Sequence, residues 1–227
     1  MSVGYGKNWD PSEHYQATEV AVDYDRKRFA SLAGRAYNWL EKRLVRRAFA
    51  DLPKAAALAD IPCGTGRLAE VLLESGFHVT GIDIAPPMLE VAQRRLQRFA
   101  HQFEAKTLDA KQLPASGLQF DAALCARVLM HFTLAEQIIF LRSVAEVTRR
   151  RVVFTQGLDT PYQRLRRRLK RLLRHQSPAV YPLTPNDLHT LIECAGLREI
   201  RRCRLLPLLS EAVLVITEPV HRLGGRT

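Results

Sequence analysis

Residues 55–69, Ala-Ala-Ala-Leu-Ala-Asp-Ile-Pro-Cys-Gly-Thr-Gly-Arg-Leu-Ala, constrain this chain more than any other stretch. An apolar run ends on Asp60, a glycine-bearing turn follows, and a helical pattern (Leu68, Val71, Leu72) opens at once. The pattern predicts strand, loop and helix, with the loop at the carboxyl end of a buried strand, where ligands bind in open α/β sheets. Glycines let the backbone approach a ligand closely, and free amides at a helix start favour a negative group. Gly64, Gly66 and Ala69 satisfy G-x-G-x-x-G/A, and Asp83 stands near the distance expected of a ribose-binding acid, so the bare pattern admits a dinucleotide. Asp60 argues against one, because an acid at the strand tip repels a pyrophosphate and welcomes an ammonium. No Gly-Lys-Ser/Thr follows the turn, which excludes a P-loop.

The rest of the chain repeats the same unit. Strands are predicted at 56–61, 77–83, 102–108, 120–126 and 151–155, with helices at 66–75, 86–100 and 134–148 between them. Such alternation implies a parallel sheet with helices on its faces. Acids sit just past the first three strands, at Asp60, Asp83 and Asp109. Alternate strand tips converge along one edge, so the three are expected to line one cleft. Carboxylates only accept hydrogen bonds, which suits Asp83 to both hydroxyls of a ribose. The competing reading is S-adenosylmethionine, which carries an α-ammonium and a ribose but no phosphate.

Asp60-Ile61-Pro62-Cys63-Gly64-Thr65-Gly66 resembles the first motif of class I S-adenosylmethionine-dependent methyltransferases, of the small-molecule type with methyltransferase domain 11/25. It departs at Pro62, where the family's usual pattern has its first glycine. Pro62 removes an amide donor there and fixes φ. The resemblance covers roughly residues 20–218. It implies a Rossmann-like, doubly wound α/β fold: a seven-stranded sheet with a C-terminal antiparallel hairpin, an N-terminal helical lid and a basic helical insert. One domain over 1–227 is expected, with a lid at 1–54, a cofactor-binding core at 55–157, the insert at 158–183 and a helix plus hairpin at 184–220. The cofactor implied is S-adenosylmethionine, held by Asp60, Cys63, Gly64, Gly66, Asp83, Ile84, Met88, Asp109, Ala110 and Ala126. Asp109 and the Ala110 amide would take the adenine. Tyr24, in Tyr24-Asp25, would stand near the methionine end.

Cys125-Ala126-Arg127-Val128-Leu129-Met130-His131-Phe132 resembles the family's loop against the sulfonium, and His131 is the candidate general base. The stretch lacks the Asn/Asp-Pro-Pro-Tyr/Phe of enzymes that methylate exocyclic base amines. Phe154-Thr155-Gln156-Gly157 lacks the cysteine of pyrimidine methylases. An RNA-modifying enzyme is therefore the disfavoured alternative, and a non-catalytic protein that keeps the cofactor fold is another.

Helices are predicted at 11–29 and 31–50, the second starting at Ser31 and carrying Leu32, Ala36, Trp39, Leu40, Leu44, Val45 and Ala48 at helical spacing. Of 227 residues, 47% are hydrophobic, enough for one core. The amino terminus shows no leader pattern, and no run approaches the roughly 18 apolar residues of a membrane span. Four scattered cysteines suggest neither zinc nor disulfides, and no metal is expected. A cytoplasmic protein follows.

The net charge of +11 concentrates at 162–175, where Arg164, Arg166, Arg167, Arg168, Lys170, Arg171 and Arg174 have no acid among them. Leu165, Leu169, Leu172 and Leu173 fall on one helical stripe, so this is a basic amphipathic helix of the kind that binds anionic surfaces. The expectation is peripheral attachment to the inner face of a membrane, with a small-molecule or lipid-linked envelope acceptor methylated on oxygen.

Overall fold

The computed structural model describes residues 29–162, 164–165, 181–205 and 211–220. Among the described residues the first helix, α1 (Leu32–Ala48), starts at the expected Ser31, whose side chain accepts the amide of Gly34 at 3.0 Å. β1 (Ala57–Asp60), α2 (Ala69–Glu74), β2 (His78–Asp83) and α3 (Pro86–Arg95) follow. β3 (Phe103–Thr107), β4 (Phe120–Cys125), α4 (Leu134–Glu146) and β5 (Thr148–Gly157) complete the alternating part. The last elements are α5 (Pro185–Cys194), β6 (Leu197–Arg204) and β7 (Ala212–Pro219). Capping boxes at Thr133/Glu136 and Thr184/Asp187 start α4 and α5, satisfying amides that the first turn of a helix leaves unpaired.

The seven strands lie in the order β3-β2-β1-β4-β5-β7-β6. β1 to β5 run parallel, and β7 pairs antiparallel with both β5 and β6. Strand alternation divides the apolar residues between two layers. Ala59, Val152, Phe154, Val213 and Val215 face the core under α4 and α5; Leu58, Val153 and Leu214 face the core under α1, α2 and α3. Both faces are therefore buried, as a doubly wound parallel sheet requires. Among the described residues, no helix is long and apolar enough to cross a membrane.

Several expected boundaries move. The helix expected over 86–100 stops at Arg95, and a separate 3-10 turn occupies Gln97–Phe99. A second 3-10 turn, Ala110–Ser116, was not expected, because Pro114 breaks the helical pattern that would announce it. The strand expected at 151–155 runs from 148 to 157. Its polar start, Thr148-Arg149-Arg150-Arg151, hides it from a hydrophobic pattern, but Thr148 and Arg151 pair with Phe120 and Ala122. The apolar stripe read on α1 also needs correction. Leu32 and Trp39 are exposed (Trp39 61%), and the buried positions are Glu41, Val45 and Ala48. Tyr24 and, but for Phe29, the helix expected over 11–29 lie outside the described residues, as do Arg166, Arg167, Arg168, Lys170, Arg171 and Arg174.

Candidate cofactor cleft

The strand registers set the acids in a staggered row. Asp60 is level with Gly81 and Leu124, Asp83 is level with Thr107, and Asp109 follows β3 by two residues. Asp60, the last residue of β1, is almost fully buried, and its Oδ2 has no hydrogen-bond partner among the described residues. Burial pushes its carboxyl well above the usual range; Arg67 and the amide of Ala69 oppose that shift, while Asp83 and Glu41 add to it. An orphaned carboxylate oxygen inside a protein costs free energy unless a donor or a cation meets it.

The loop beyond Asp60 is held in place from several sides. Ile61 donates its amide to Leu124 O and Cys63 to Ile82 O, both at 2.8 Å. Asp83 accepts from Gly64 N at 2.8 Å through Oδ2 and from Ala85 N at 3.0 Å through Oδ1. Burial still raises the Asp83 carboxyl despite these amides. Each oxygen keeps a second lone pair, so the amide bonds and a ribose diol do not exclude one another. Gly64 and Gly66 both take positive φ, 54° and 74°. A Cβ on Gly66 would meet Leu96 Cδ1 at 2.9 Å, whereas one on Gly64 would meet nothing within 4 Å. Gly66 is thus bare for helix packing, and Gly64 faces open space. Gly81, level with Asp60, lets Cys63 Sγ sit where its own Cβ would be, so buried Cys63 serves as packing beneath the loop.

Ile84, directly after Asp83, is 46% exposed although large and apolar, whereas Met88 is buried with Ala85. Asp109 accepts from Lys111 N at 2.9 Å and caps the turn that buries Ala110. Ala126, after β4, is half-buried against the core shared with Cys63 and Leu58. His131 closes a short 3-10 turn, Leu129–His131, and is half-buried. Its neighbour Phe132 is fixed by Gln137 Nε2, which donates to Phe132 O at 2.8 Å. Gln156 Nε2 in turn donates to Gln137 Oε1 at 3.1 Å. Among the described residues, no cluster of three or more His, Cys, Asp or Glu is disposed to hold a metal.

Sequence reasoning missed a buried charge cluster at this mouth. Arg67 donates to Glu41 Oε2 and to Asn38 Oδ1, both at 2.6 Å, and Arg127 Nη1 lies 3.5 Å from the same Glu41 oxygen. The Phe29 ring lies over both guanidiniums, at 4.8 Å from Arg67 and 5.4 Å from Arg127. The signal was present: Glu41 shares the i, i+4, i+7 face of α1 with Val45 and Ala48, where an acid needs a buried partner. Also missed was Arg95 Nη1, which donates to Thr65 O and Oγ1 at 3.0 Å and ties the glycine loop to α3.

The residues present fit S-adenosylmethionine. Buried Asp60 keeps one oxygen without a partner among the described residues, which an ammonium would satisfy, Gly64 faces open space, and exposed Ile84 follows Asp83. Residues 58–151 match the family model described as a methyltransferase domain. The ubiquinone biosynthesis O-methyltransferase of Methylocella silvestris is 36% identical over 74 residues, 33% of this chain and 29% of its own length. The demethylmenaquinone methyltransferase of Thermus thermophilus is 34% identical over 111 residues, 48% of this chain and 49% of its own. The chain thus spans less than half the length of these curated relatives. Among solved structures, the magnesium protoporphyrin IX methyltransferase of Synechocystis with bound SAH superposes with a TM-score of 0.74 at 19% identity. That match covers 92% of this chain and 97% of the other, a likeness of fold. Strand order and glycine loop agree with the domain match: residues 58–151 are similar to the methyltransferase domain, and the seven-stranded sheet has the Rossmann-like fold of class I S-adenosylmethionine-dependent methyltransferases.

Proposed function

We propose that this protein transfers a methyl group from S-adenosylmethionine to an oxygen of a small or lipid-linked acceptor. The observation that carries the reading is Asp60 Oδ2, buried at the tip of β1 near the open face of Gly64 and unpartnered among the described residues. Asp60 takes the ammonium, Asp83 the ribose hydroxyls, and Asp109 with the Ala110 amide the adenine. Ile84 and Met88 cover the base, and Cys63, Gly64, Gly66 and Ala126 line the remainder. When bound, the cofactor supplies a methyl on a sulfonium, whose C–S bond breaks as the acceptor oxygen forms the new C–O bond. The protein aligns the acceptor and excludes water, and His131 removes the acceptor's proton. An oxygen acceptor agrees with the O-methyltransferase named among the relatives. Titration calorimetry tests the cofactor: S-adenosylhomocysteine is expected to bind and NAD is not, and binding of NAD alone overturns the reading. Full turnover by His131→Asn would remove the base.

The acceptor's setting rests on the basic insert. Among its described residues, Tyr162 and Leu165 are exposed around Arg164, whose guanidinium lies 3.8 Å from Asp159. Apolar and basic side chains offered together suit an anionic bilayer, where each basic residue contributes about 1 kcal/mol. Reversing the charge of Arg166, Arg167 and Arg171 is expected to abolish sedimentation with anionic liposomes and leave S-adenosylhomocysteine affinity unchanged. Wild-type protein that ignores such liposomes at low salt would return the insert to a solvated lid.

A further inference from the structure

Arg127 is the second residue after β4, whose Leu124 is level with Asp60, so it stands at the mouth of the proposed cofactor cleft. Three features set it apart from a packing residue. Its φ is 65°, a left-handed conformation in a residue other than glycine, and the strain is held by its amide, which donates to Thr155 Oγ1 at 2.7 Å. Strain of this kind collects at ligand sites. Its guanidinium lies over the rings of Phe29 and Tyr37, at 5.4 and 5.0 Å. Its Nε is buried with no hydrogen-bond partner among the described residues.

Charge separates it from its neighbour. Arg67 already answers Glu41 through a 2.6 Å bond, whereas Arg127 only approaches the same oxygen at 3.5 Å. Among the described residues both guanidiniums face the Glu41 carboxylate, and Arg127, whose Nε has no hydrogen-bond partner, makes the longer contact. A guanidinium fork is matched by a carboxylate, which takes two parallel N–H bonds.

We infer that Arg127 is a specificity residue that anchors a carboxylate of the acceptor, so that this enzyme selects anionic acceptors. The inference rests on the methyltransferase reading above. Glu41 and the two rings hold the guanidinium in one orientation before the acceptor arrives, which lowers the ordering cost of binding.

The test uses the full chain as wild type, Arg127→Met, Arg127→Lys and Arg127→Gly, the last accommodating the positive φ without strain. Calorimetry with S-adenosylhomocysteine comes first. Equal affinity, within about twofold, in all four supports the inference; a tenfold loss in the Met and Gly variants assigns the charge to the cofactor's own carboxylate and overturns it. Ligand-observed NMR on the S-adenosylhomocysteine complexes then compares benzoate with benzamide. Wild type is expected to bind benzoate over benzamide, the Lys variant to keep part of that preference, and the Met and Gly variants to lose it. A wild type that does not discriminate, or variants that retain benzoate, would overturn the inference alone. A wild type that binds no S-adenosylhomocysteine overturns it together with the methyltransferase reading.

Discussion

The amide of Gly64 donates to Oδ2 of Asp83 at 2.8 Å, so the glycine loop after β1 and the acid ending β2 form one hydrogen-bonded unit. Asp83 is therefore a structural clasp as well as the proposed ribose acceptor, and substituting it is expected to disturb both. Asp83→Ala is expected to weaken S-adenosylhomocysteine binding at least tenfold, about 1.4 kcal/mol, and to lower the melting temperature. Asp83→Asn keeps one acceptor oxygen and should fall between. Calorimetry beside thermal unfolding separates the two losses, and unchanged affinity in the Ala variant removes Asp83 from the site.

Asp60 links binding to pH. Its folded carboxyl titrates well above the unfolded one because it is buried. The stability tied to its proton is present below the unfolded value and is lost as pH rises through the folded value. An ammonium favours the carboxylate, so binding expels the proton, and affinity for S-adenosylhomocysteine rises with pH through the same window. Calorimetry in two buffers of different ionisation heat measures that proton. Asp60→Asn should abolish it, weaken binding at least tenfold and melt higher than wild type at alkaline pH. An Asn variant with wild-type affinity would contradict this role.

The two loop glycines should fail differently. Gly66→Ala forces a methyl to 2.9 Å from Leu96 and 3.0 Å from Ala92 at a φ of 74°, so unfolding stability should fall by roughly 1–3 kcal/mol. Gly64→Ala meets no neighbour, and beyond a strain of about 1 kcal/mol its cost should fall on cofactor affinity. Urea unfolding and calorimetry on both variants decide, and an identical pattern in the two would count against the assignment.

Glu41 is fully buried and is the acid to which both Arg67 and Arg127 turn. Glu41→Ala strands the buried Arg67 and the half-buried Arg127 and should cost about 3–5 kcal/mol. Glu41→Met combined with Arg67→Met should recover part of that loss, because it removes charge and partner together. Urea unfolding measures both, and an Ala variant as stable as wild type would show that the cluster does not hold α1 to the glycine loop.

Strand rhythm, caps and acids at strand ends were legible in the residues because each depends on neighbours a few positions away. Ser31 starts a helix where its cap predicted, and Asp60 and Asp83 end their strands while Asp109 follows the third, in the expected order. Local pattern also left Asp83's dual bonding open, since an acid that can accept a ribose can equally accept an amide. Tertiary structure alone decided which face of α1 is buried, reversing the exposure expected for Trp39 and placing Glu41 inside. It also paired Glu41 with Arg67 across 26 positions and laid Arg151 against Asp51 across 100. The physical reason is that hydrophobic period and capping act within a few turns of chain, whereas a buried charge is stable only beside a partner that the folding of the whole sheet delivers.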